Sequence, residues 1–226
     1  MTSDDRSWTA EAPAESLTGN VEASTLVLRL GIAVNAVRAA QRFYLAVADA
    51  DGPGGERDRF WAFLIASGFL NEALQVIRPK FPAVRALAES GGATEDQVHA
   101  VGELLSGRRP INQTLDRLRN QLAFHWDEGL VKEFVSNYSK PTVVWADGAG
   151  RSNGEMLYRA SAAAVANLVL PPIENGERET DEQVRDRMKQ LLVQLTEATA
   201  AVVALCERAI IGHLSDIGVS ITPKAG

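Results

Sequence analysis

The stretch "PINQTLDRLRNQLAFHW" (Pro110–Trp126) decides how the chain is read. Ile111, Leu115, Leu118 and Leu122 recur at steps of 4, 3 and 4, the spacing of one face of an α-helix and not the alternation of a strand. Pro110 suits the first turn of such a helix, where its missing N–H has no partner to lose. One more step of three lands on His125, so an imidazole extends a stripe that ought to face a core.

A helix with a single apolar seam needs other helices to cover it, and the flanking sequence supplies them. Residues 21–50 read as a long helix ending at the breaker cluster "DGPGG", and residues 56–78 as a second, stopped by Pro79. A shorter piece, "PAVRALAES", leads to Gly91–Gly92. "TEDQVHAVGELLSG" opens on Thr94 as N-cap and closes at Gly107. After the motif helix come one or two further helical turns at "DEGLVKEFVSNYS". "PTVVWADGAGRSNGEMLYRAS" then sets β-branched and aromatic residues on both sides of a Gly/Asn/Ser turn, the pattern of a hairpin over about residues 141–160. Ser161–Leu170 returns to helix before Pro171–Pro172, and Asp181 to about Ser215 is a long amphipathic helix. The expected architecture is all-α: a four-to-five-helix bundle with a small inserted β-hairpin. Residues 1–20 are expected to form a polar tail and 21–226 a single helical domain, with no internal repeat.

Composition narrows the function. Hydrophobic residues at 46% and charged residues at 23% are values of a chain that builds a core. A net charge of −6 argues against a surface broadly basic for nucleic acid. Locally the balance reverses: Arg108, Arg109, Arg117 and Arg119 face one acid, Asp116, between Leu105 and His125. The lone Cys206 excludes an intrachain disulfide and a cysteine metal site, and in an apolar helical run it reads as an inert buried thiol. The acidic N-terminus does not read as a signal peptide. Residues 26–47 are long enough to span a bilayer, but Arg29, Asn35, Arg38 and Arg42 interrupt them. A cytosolic protein without a membrane partner is expected.

Arg119 precedes Leu122 by three residues and His125 follows it by three. At about 100° per residue each lies about 60° from the seam, on opposite sides, the two about 9 Å apart along the axis. Asn120 sits beside Arg119. On one straight helix the pair does not readily grip a single phosphate; two copies related by a two-fold axis would bring both pairs to one cleft. Blander readings stay open for each residue. His125 also fits a core histidine bonded to a neighbour, and Arg119 fits an ion pair with Asp116 three residues earlier. His99, His125 and His213 are also a conceivable three-histidine metal set. Arg108 and Arg109 follow a helix end, where cations suit the helix dipole.

Arg119-Asn120, four intervening residues and His125, followed by Trp126-Asp127, resemble the RNxxxxH signature of the HEPN superfamily, small α-helical bundles of prokaryotic defence and toxin–antitoxin systems. The resemblance implies a HEPN-like bundle acting as a homodimer on RNA, with Arg119, Asn120 and His125 as catalytic residues of a composite, metal-independent endoribonuclease site without a cofactor. Arg108, Arg109 and Arg117 are then RNA-binding candidates, with Arg151 and Arg159 of the hairpin as further contacts. It also implies a separate regulator, an antitoxin or a nucleotidyltransferase. The Tyr-x-Tyr that follows the histidine in members a nucleotidyltransferase modifies is absent from this sequence. The alternative is a non-catalytic HEPN-like module that binds RNA, a nucleotide or a protein. Phosphate-loop and nucleophilic-enzyme readings fail, because the glycines at 52–55 and 148–154 make no phosphate loop and no Cys/His or Ser/His arrangement forms an identifiable site.

Overall fold

Helix α1 (Val21–Val47) begins where Asn20 caps it, the Asn20 side-chain oxygen accepting from the Ala23 amide at 3.1 Å. In the computed structural model the described residues are 8–9, 18–49, 52–117, 146–147, 156–157, 181–219 and 222–223. Along α1, Leu26, Leu30, Val34 and Val37 are buried, while Arg29, Asn35, Arg38 and Arg42 are all exposed. The polar residues that interrupt this apolar stretch therefore lie on its outer side. By length and composition alone, α1 and residues Asp186–Asp216 would each suffice to cross a membrane. Both also contribute buried residues to the helical core.

Four further helices follow in order: α2 (Gly52–Ile77), α3 (Phe81–Ser90), α4 (Glu95–Leu105) and α5 (Pro110–Arg117). The breaker cluster ends α1 as expected, but it occupies less chain than its composition suggests: Gly52 to Gly55 already form the first turn of α2. Proline in a first turn loses no helical hydrogen bond, so Pro53 starts a helix as readily as it stops one. At the other end α2 stops at Ile77, and a 3₁₀ turn (Arg78–Lys80) carries Pro79 into α3. Thr94 caps α4 with a reciprocal box: its hydroxyl accepts from the Gln97 amide at 3.3 Å and its own amide donates to the Gln97 side chain at 3.0 Å. Glu95 and Asp96 add negative charge at that positive helix end. Gly107 then turns the chain towards α5 with φ at 74°, a conformation that costs glycine little.

Helix α6 (Asp181–Asp216) lies against α1, α3 and α4. Its closest approach is to α3. A Cβ added to Gly212 would lie 1.9 Å from the Leu87 carbonyl oxygen, and one added to Gly91 would lie 2.0 Å from the Arg208 carbonyl oxygen. The two backbones touch because neither glycine carries a side chain. Around this crossing Val84, Ala88, Leu205, Cys206 and Ala209 are fully buried. At the rim the Ser90 hydroxyl donates to Asp216 at 3.1 Å. One apolar cluster joins the six described helices, from Leu30 of α1 and Leu64 of α2 through Val101 of α4 and Leu115 of α5 to Leu205 of α6.

The described fold is thus helical, with two short antiparallel pairings. Strand β1 (Trp8–Thr9) pairs with β4 (Thr222–Pro223), Trp8 opposite Pro223, which ties part of the N-terminal stretch read as a tail to the other end of the chain. Strand β2 (Ala146–Asp147) pairs with β3 (Met156–Leu157), Ala146 opposite Leu157, and β3 lies against α2. The rest of the expected hairpin, the motif helix beyond Arg117, the turns after it and the helix expected at 161–170 lie outside the described residues.

The glycine crossing makes a test. Gly212→Ala forces a side chain into a backbone contact and should lower stability by about 1–3 kcal/mol. Gly31→Ala, where nothing lies within 4 Å of the added Cβ, should raise it by about 0.5–1 kcal/mol through helix propensity. Urea unfolding midpoints of the two variants should move in opposite directions.

Candidate functional site at the motif helix

Helix α5 carries the first half of the apolar seam into the core. Ile111 and Leu115 are buried at 3% and 1% exposure. Three polar contacts hold it there. Asn112 is buried, and its amide group donates to the carbonyl of Leu104 at the end of α4. That carbonyl is among the last four of its helix, which have no partner within the helix, so one side chain closes α4 and fastens α5 to it. The Asn112 side-chain oxygen is buried and has no hydrogen-bond partner among the described residues. On the α2 side, the buried Asn71 donates to the Asp116 carboxylate at 3.5 Å and accepts from Gln75 at 3.5 Å.

The third contact involves a residue expected to bind RNA. Arg109 is turned onto α4, its Nε 3.0 Å from Glu103 Oε2 and its Nη2 on the same oxygen. His99 Nε2 lies 3.4 Å from the other carboxylate oxygen. The hydrogen bonds and charge of Arg109 hold the Glu103 carboxyl below the ordinary glutamate range. Arg109 therefore braces the α4–α5 turn. Its neighbour Arg108 is exposed and makes no ion pair among the described residues. Arg117 is the last residue of α5, its side chain outside the described atoms, and Arg119, Asn120 and His125 lie beyond it, outside the described residues.

The other two histidines occupy opposite environments. His99 is exposed beside Glu103, whereas His213 is buried on α6 with its Nε2 3.3 Å from the Ser24 hydroxyl. Among the described residues no group of three or more His, Cys, Asp or Glu side chains is placed to hold a metal ion. Cys206 is fully buried, and burial, with a smaller contribution from Glu207, pushes its thiol up to about 12. It is therefore protonated and inert at neutral pH. A shallow groove between α1, α2 and α6 is lined by Val37, Tyr44, Leu192 and Leu195 among others, and by no described side chain of α5.

Sequence reasoning did not find Asn112, Asn71 or Glu103 as the supports of α5. Asn112 directly follows the seam residue Ile111, and a polar residue flanking a seam looks like a solvated one until the next helix end is placed beside it.

The Glu103–Arg109 pair sets a pH dependence. Its folded carboxyl titrates below the unfolded value of about 4.3, so its stabilisation is present above that pH and is lost as pH falls through the folded value. Arg109→Gln should therefore melt below wild type at pH 6, and the gap in Tm should close as pH is lowered from about 4.3 downward. Compared with protein-family models, with curated proteins and with solved structures, the chain matches none.

Proposed function

We propose that the chain is a metal-independent endoribonuclease of the HEPN type, with a composite site formed by Arg119, Asn120 and His125 from two copies of the chain. The observation that supports this reading is the burial of Ile111 and Leu115 on a helix braced from α2 and α4. It gives the seam on which the motif spacing depends a definite phase. In the proposed site the helical spacing of the sequence continues that phase, with Arg119 and His125 about 60° to either side of Leu122.

RNA carries its own nucleophile, so the site needs a proton acceptor, charge stabilisation and alignment. In the proposed reaction the His125 imidazole of one copy takes the proton of the 2′-OH. The 2′-oxygen attacks phosphorus, the bond to the 5′-oxygen breaks, and that oxygen takes a proton from the partner's imidazolium. Arg119 holds the phosphate in a bidentate fork and stabilises charge as it shifts. Asn120 orients the imidazole or binds a phosphate oxygen. Arg108, exposed at the start of α5, and Arg117 guide the RNA backbone; Arg109 acts through its brace to Glu103. A cytosolic setting and a separate regulator complete the proposal.

The test uses purified protein and mixed cellular RNA. Cleavage should persist in EDTA and leave 2′,3′-cyclic phosphate and 5′-OH ends. Arg119→Ala and His125→Ala should each lose at least about 100-fold in rate. Mixing wild type with an excess of His125→Ala should lower activity below that of wild type alone, because a mixed pair holds only one of the two histidines the reaction uses. Abolition by EDTA, or equal cleavage by wild type and both variants, would overturn the proposal. RNA binding without mutation-sensitive cleavage would favour the non-catalytic module.

A further inference from the structure

Helix α1 is apolar on two opposite sides, and only one of them faces the core. Leu30, Val34 and Val37 point inward and are buried at 0%, 7% and 2% exposure. On the far side, Val21, Leu28, Ile32 and Phe43 are 65%, 61%, 70% and 43% exposed. With the exposed Ala39 they recur at steps of 7, 4, 7 and 4. At about 100° per residue these five fall within about 60° of one another, a straight ridge about 33 Å long. Thr25 and Asn35 are the polar members of the strip. An amphipathic helix on a protein surface normally turns charge outward, and a helix that is apolar all round is normally covered.

The charges along α1 indicate what covers it. Arg29 and Arg42 border the ridge, each about 70° from its centre and on opposite sides. Both are exposed, and neither has an ion pair among the described residues. The other cations near this helix are engaged: Arg38 with Glu207, and Lys80 with Glu22 at 2.7 Å. Glu22 is the one acid in α1. We infer that the outer face of α1 docks an amphipathic helix of a partner protein, one that lays an apolar stripe on Leu28, Ile32 and Phe43 and sets carboxylates against Arg29 and Arg42. A second copy of the same face would bring only more arginines and no free acid. Anionic lipid surfaces are read by clusters of about four to eight Lys or Arg, and two arginines on a chain of net charge −6 fall short of that. A partner helix with anchors at helical spacing matches the ridge in shape, and acidic flanks match it in charge. This inference does not rest on the proposed ribonuclease reading.

Two synthetic helical peptides test it, each with leucines at heptad positions a and d, one with glutamates and the other with lysines at e and g. Fluorescence anisotropy with the full chain should show the glutamate peptide bound at least about tenfold more tightly. The double variant Arg29→Glu, Arg42→Glu should reverse that preference. Ile32→Ser should weaken both peptides, with Leu28→Ser as a second variant. These side chains are exposed, so circular dichroism and Tm should stay at wild-type values. No preference between the peptides overturns the inference. So does a dimer that dissociates on Ile32→Asp, which would assign the face to a second copy. Binding to phosphatidylserine vesicles without binding to the glutamate peptide would assign it to a membrane and overturn it as well.

Discussion

The contact between Gly212 and the Leu87 carbonyl sets the distance between α3 and α6, and much of the fold follows from it. With no side chain on either glycine, the backbones meet, and Val84, Ala88, Leu205, Cys206 and Ala209 close around the crossing without leaving room for water. Close-packed interiors do not absorb an extra methyl group at such a point. Helix α6 then serves as the post against which α1 and α4 also pack.

On that frame α5 is a short helix with disproportionate fastening. Ile111 and Leu115 face the core, while Asn112, Asp116 and Arg109 connect it to α4 and α2. Polar fastening fixes rotation about the helix axis more tightly than apolar packing does, because hydrogen bonds depend on direction. A motif read at fixed angles from the seam needs that control. The same contacts divide the arginine cluster: Arg109 is committed to Glu103, and Arg108 faces solvent.

Much of the helical layout was legible in the sequence. The start of α1 at Val21, the Thr94 cap, the turn at Gly107, the opening of α5 at Pro110 and the span of α6 all rest on local rules. Caps, breakers and apolar period act within a few residues, so the sequence states them directly. The Gly-Pro-Gly-Gly stretch misled because proline in a first turn and proline after a last turn look alike in one dimension. Of the candidate site, the seam at Ile111 and Leu115 was legible, and its supports were not. Glu103, Asn71 and the Leu104 carbonyl come from other elements, and no spacing within α5 points to them.

The sequence by itself determined the helical character of the described core, the apolar phase of α5 and the local excess of arginine before His125, because each is a property of near neighbours. The tertiary structure decided which polar residues face what. It turned Arg109 onto the Glu103 carboxylate, buried His213 against Ser24, left His99 in solvent and exposed a second apolar face on α1. Those outcomes depend on which helix lies beside which, and that is set by close contacts such as Gly91 and Gly212 against residues more than a hundred positions away along the chain.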